Sequence, residues 1–188
     1  WTDVTHATRT AKLSVSLVNS AAALAEKLAL QGRGLLDVTA GYINWIGQKR
    51  TTAQFDKTND AALANITGLS VNVEAGKVYY FEAQLFVDAD VTGGHQYAIA
   101  GTATATSIIY QIEATDNTLL VFVITSREVA LAGAAGQAGS TVVHTIIKGQ
   151  IVVNAAGTLT VQFAQNAATP ATTSSVLVGS TFIVQEMA

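Results

Sequence analysis

Between residues 71 and 88 two runs of alternating apolar and polar residues meet at Glu74-Ala75-Gly76-Lys77. A period of two marks a half-buried strand, and a Gly-containing polar break between two such runs marks a turn. The second run puts Tyr79, Phe81, Ala83, Leu85 and Val87 on one face, as the central strand of an antiparallel sandwich would. The same pattern recurs downstream. It predicts strands over 53–55, 63–73, 78–88, 95–101, 105–113, 119–126, 142–153, 159–165 and 176–186. Turn residues separate them at 56–60, Thr92-Gly93-Gly94, Thr115-Asp116-Asn117, 154–157 and 168–171, the last holding the lone Pro170. Strands at this spacing without intervening amphipathic helices predict an all-β fold, an antiparallel jelly-roll sandwich.

The first fifty residues have a different texture. Residues 1–12 are polar and Thr-rich, and Leu13-Ser14-Val15-Ser16-Leu17 alternates like a strand. Ser20 can then cap a helix over 21–30, with Leu24 and Leu28 on one stripe and Gly32 just past its end. A helix this short is marginal alone and needs partners. Leu35 to Ile46 is apolar but broken by Gly41, and Gly47-Gln48-Lys49-Arg50-Thr51-Thr52 is polar and basic. These changes predict a stem over 1–50, containing one helix and serving attachment or trimerisation, and a β-module over 51–188. Residues 131–139, built only from Leu, Ala, Gly and Gln, read as a surface loop or as a close backbone approach around a symmetry axis or a neighbouring subunit.

Composition narrows the partners. Hydrophobic residues make up 49%, charged residues 12%, and mean hydropathy is +0.36, yet polar residues or Gly interrupt every apolar run, so no membrane insertion is expected. So little charge suits a surface covered by copies of the same chain. A net charge of −3 offers no cationic footprint for nucleic acid. Cysteine is absent, which rules out disulfides and thiolate metal sites. Trp1 stands where an initiator Met would be, so the translated product is expected to start elsewhere.

No motif announces a reaction. His6, His95 and His144 lack neighbours at catalytic or metal spacing, and His144 is expected on a strand face at a subunit contact. Asp88, Asp90 and Asp116 are oxygen ligands in type, but the Gly and Glu of a calcium loop are missing. Glu82 and Glu113 would serve a glycosidase only if held across a sugar. Gly32-Arg33-Gly34 and Gly93-Gly94 do not form a phosphate cradle, since neither opens a helix carrying Lys-Ser or Lys-Thr. Tyr42, Trp45, Tyr80, Tyr97 and Tyr110 are candidate sugar platforms, with core positions the ordinary alternative. The expectation is therefore no catalytic residue, no cofactor and no metal, with ligand contacts on the loops 87–94, 114–118 or 127–140.

Residues 51–188 resemble a C-terminal module of tailed-bacteriophage and prophage virion proteins. The likeness is carried by 51–60, 64–69, Gly93-Gly94-His95-Gln96-Tyr97 with the residues to 105, 155–166 and 174–182. A looser resemblance joins Gly76-Lys77-Val78-Tyr79-Tyr80-Phe81 and Gly179-Ser180-Thr181-Phe182 to the trimeric jelly rolls of the tumour-necrosis-factor and complement-head type. Together the resemblances imply a non-enzymatic virion structural protein made in the host cytoplasm. It would be a homotrimeric tail fibre or spike module that binds the host surface, with a glycan as receptor. Residues 1–50 would meet other virion proteins. The alternatives are a capsid-attached head fibre or decoration protein and, further off, a polysaccharide depolymerase fragment.

Overall fold

The computed structural model describes residues 46–116, 122–137, 142–169 and 171–187. The expected strand at 13–17, the helix at 21–30, the apolar segment at 35–45 and Pro170 lie outside them. Within them the chain is all-β, in twelve strands: β1 Ile46–Arg50, β2 Phe55–Thr58, β3 Ala64–Val73, β4 Val78–Asp88, β5 His95–Ala100, β6 Thr104–Asp116, β7 Phe122–Glu128, β8 Ala134–Gln137, β9 Val142–Ala155, β10 Gly157–Ala164, β11 Thr173–Val176 and β12 Thr181–Met187. Every pairing is antiparallel.

Two sheets stack as a jelly-roll-like sandwich. The larger runs β1-β12-β4-β9-β6-β7, with β11 and β2 joined to the end of β4, and the smaller runs β3-β10-β5-β8. β4 is central, as its alternation predicts: Tyr79, Phe81, Ala83, Leu85 and Val87 are all buried, while Gln84 and Phe86 between them are exposed. Leu159, Val161 and Phe163 of β10 and Tyr97 and Ile99 of β5 close the core from the smaller sheet. The backbone N–H of Ile99 reaches the hydroxyl of Tyr110 across the gap at 3.4 Å, and that hydroxyl donates to the carbonyl of Gly133.

One glycine sets how the aromatics meet. Gly149 lies in register between Phe81 and Tyr110, and a Cβ built there would sit 2.4 Å from the Tyr110 Cβ. Neighbouring strands are about 4.8 Å apart, so side chains two strands away meet only over a gap. Gly149 leaves that gap, and the Phe81 and Tyr110 rings come to 6.0 Å between centroids.

Several details differ from the sequence pattern. β6 runs on through Thr115 and Asp116, and β9 through Asn154 and Ala155, where turns are expected. The polar 47–52 segment, expected as the boundary between stem and module, begins with an edge strand that pairs residue by residue with β12, and the chain's division into compact units falls between Tyr42 and Ile43. Polarity alone does not separate a linker from a sheet edge, because edge strands are polar too. Residues 56–58, expected in a turn, continue β2, with Asp56 held by Ser175 and Gln54; the turn comes at Asn59, whose φ is positive. The expected strand 176–186 is two, broken where Gly179 takes a φ of 94° and Ser180 donates to the carbonyl of Leu177. Residues 134–137, inside the expected loop, form β8 against β5. The backbones approach closely within this one chain, since a Cβ on Gly136 would lie 2.8 Å from the carbonyl oxygen of His95.

Candidate functional site

The registers fix which loops share an end. Ile46 pairs with Gln185, Glu186 with Tyr79, Tyr79 with Ile151, and Ile151 with Ile108, so the start of β1 and the close of β12 lie at one end of the sandwich. At the opposite end, here called distal, β2, β4, β6, β8 and β10 finish and β3, β5, β7, β9 and β11 begin. Among the described residues the distal connections are therefore 59–63, 89–94, 165–169 and 171–172. Of the three loops nominated from sequence, 87–94 lies at this end, and the described parts of 114–118 and 127–140 reach it at Asp116 and Gln137, the last running there through β8.

Part of the distal end is built from interlocked hydrogen bonds. Asp90 Oδ1 accepts from the N–H groups of Thr92 and Gly93, both at 2.8 Å, and Ser174 Oγ accepts from Asp90 N and donates to the carbonyl of Gly94. Fully buried Gln165 accepts from Asp60 N at 2.9 Å and donates to Thr172. Gln165 packs so closely on Gly93 that a Cβ there would lie 2.4 Å from its Nε2. Three loops are thus pinned to one another. The Lys57 ammonium pairs with Asp60 and holds its carboxyl below the ordinary range.

The two outer faces contrast. Over the smaller sheet they carry Asn65, Ser70, Asn72, Thr158, Thr160 and Gln162 beside the small residues Ala98, Ala100 and Ala164, with Ala98 and Thr160 buried, the Ser70 and Thr160 hydroxyls 2.8 Å apart and Gln162 donating to Asn65 at 2.8 Å. Over the larger sheet they carry Val78, Phe86, Ile109, Ile146, Val152 and Ile183, interleaved with glutamine amides. Apart from Asp88 at the distal margin, the charges on the four central strands of that face are Glu82, Glu113 and Lys148. Lys148 is in register with Glu82, and its Nζ lies 3.7 Å from Glu113. Tyr80 donates to Glu82 at 2.7 Å, and burial with that carboxylate pushes its hydroxyl up to about 12.

Along the distal margin of the same face Phe122, Thr115, His144 and Phe86 are successive cross-strand neighbours. The Phe86 and His144 rings lie 5.9 Å apart, and Phe122 is 63% exposed. Sequence reading had passed over both phenylalanines as ordinary strand residues. The available signal was parity, since Phe86 falls on the polar face of β4.

The nominated residues scatter. Tyr97 and Tyr110 are core residues, which removes them as sugar platforms, and Tyr80 is half-buried on the outer face. Glu82 and Glu113 sit on strands flanking β9 with Lys148 between them. Two strand spacings put them on the order of 10 Å apart laterally. Asp88, Asp90 and Asp116 are not gathered, and no three His, Asp or Glu residues cluster at metal distance among the described residues. His95 is buried, and so is Asp116 opposite it. His6, Tyr42 and Trp45 lie outside the described residues.

No known protein family matches the chain, and no curated protein does. Among solved structures it is similar to Eiger TNF from S. frugiperda, at 14% identity and a TM-score of 0.36 over 77% of this chain and 93% of that one. It is also similar to the Gx strain structure of infectious bursal disease virus (9% identity, TM-score 0.20, 92% of this chain) and to the VP2 subviral particle of that virus (16%, 0.21, 76%). The chain spans 41% and 40% of those two viral chains. At such scores the fold assignment rests on the strands and registers themselves.

Proposed function

We propose that this chain is a non-enzymatic structural module of a phage virion. In this reading it assembles as a homotrimer through the outer face of the larger sheet and presents its distal loops to the host surface, in the manner of a tail fibre or spike head. The phage assignment comes from the resemblance of residues 51–188. The observation that carries the assembly is the contrast between the two outer faces. Isolated apolar residues on a surface are ordinary, but a face that mixes aliphatic and aromatic side chains with glutamine amides and few, paired charges suits a protein interface. The start of β1 and the close of β12 share one end, and in this reading the other end faces outward. Three copies of a weak glycan contact, held at fixed spacing, gain avidity without new chemistry.

Light scattering after size exclusion tests the assembly on residues 1–188 and 43–188. Trimers are expected for both, and Ile146→Lys, which puts a charge in the middle of the face, should give a folded monomer. A trimeric Ile146→Lys variant would move the interface elsewhere. Monomeric wild-type chains of both lengths would remove self-assembly from the reading. Immunogold labelling of particles is expected to mark tails, and label on heads would instead support a head fibre or decoration protein.

A further inference from the structure

His95 occupies an unusual place for a titratable group. It is the first residue of β5, fully buried at the distal end, with its ring centroid 5.4 Å from that of Tyr97, which in turn packs on Phe163. From β6, Asp116 faces it, itself buried. β9 contributes Thr145, whose buried hydroxyl lies beside that of Tyr97, and β8 contributes Gln137, the register partner of His95. His144 does not face this site, because it lies on the outer side of β9 against Phe86. Asp90 is turned to the N–H groups of Thr92 and Gly93. A neutral imidazole suits this setting. Among the groups named here, a cation would have the Asp116 carboxylate and otherwise aromatic or uncharged neighbours, and burial favours a charge reaching water.

The strand beside it is short and poor in side chains. β8 consists of Ala134, Ala135, Gly136 and Gln137, so no large apolar side chain anchors it, and its pairing with β5 begins at His95 itself. We propose that the His95 site is an acid-operated latch on the distal end: proton uptake by His95 releases β8 from β5 and loosens the strand ends that carry the distal loops. Burial holds the imidazole's titration down to about 4, and Asp116 draws it partly back up. The latch is therefore closed at neutral pH and opens in acid, independently of any partner.

The test is hydrogen exchange on the full chain at pH 7 and about pH 4, corrected for intrinsic rates, for wild type, His95→Phe and Asp116→Asn. In wild type, protection of residues 95–100 and 134–137 is expected to fall about tenfold or more in acid while the interior of β4 keeps its protection. His95→Phe should keep β8 protected at both pH values. Asp116→Asn, which removes the charge that favours the imidazolium, should shift the loss to lower pH and so keeps the test decisive if His95→Phe does not fold. Equal protection of β8 at both pH values in wild type, a uniform loss over all strands, or an unchanged acid loss in His95→Phe would each overturn the latch.

Discussion

Phe81, Gly149 and Tyr110 form one row across the core, and the middle residue matters because it has no side chain. Gly149→Val would force the two rings apart or bend β9, and overpacking of this kind costs ~1–3 kcal/mol. Phe81→Ala leaves a cavity instead and should cost ~3–5 kcal/mol. Thermal melting of both variants checks the pair, and an unchanged midpoint for either would mean the row does not hold the core. His95 supplies a pH dependence whose sign can be worked out. Its folded pKa is depressed from 6.5 to about 4, so the unfolded chain binds the proton first and stability falls as pH is lowered through that window. Each pH unit there removes about 1.4 kcal/mol, until the folded state also takes the proton. Melting of wild type beside His95→Phe between pH 7 and 4 should show this slope in wild type alone.

At the scale of elements, how much the sequence reveals depends on whether a strand's identity is local. β4 was legible to the residue, because five large apolar side chains in strict alternation leave no other reading. β8 was not, because Ala-Ala-Gly-Gln carries no period, and its strand state comes from β5 lying alongside. The break between β11 and β12 was hidden for a different reason: Val176, Leu177 and Val178 read as one apolar run, while the turn is set by Gly179 and by the buried hydroxyl of Thr51, which donates to Leu177 O at 2.9 Å from far away in the chain. The distal network was equally illegible, since Gln165, Ser174 and Asp90 meet only after the sheet is built. It has a measurable consequence. Ser174→Ala removes both the acceptor for Asp90 N and the donor to Gly94 O, and unmet buried groups cost about 1–3 kcal/mol each. Proteolysis should then cut within 89–94 faster than in wild type, and an unchanged cleavage rate would show that the loop is held by packing instead.

For the module as a whole, the sequence anticipated an antiparallel sandwich, and it anticipated surfaces poor in charge. Which face is apolar emerged only from the registers, because the alternation of a strand gives two faces without saying which one another layer covers. The adjacency of β1 and β12 reaches further than assembly. Their register runs from Ile46–Gln185 to Arg50–Thr181, so a force pulling Ile46 away from Gln185 loads one backbone pair at a time and opens the sheet like a zipper. A force running from the base to the distal loops meets the same hydrogen bonds lengthwise and must shear several of them together. A module anchored at its base and held at its tip is loaded in the strong direction. The same module pulled apart at Ile46 and Gln185 would yield at a much lower force.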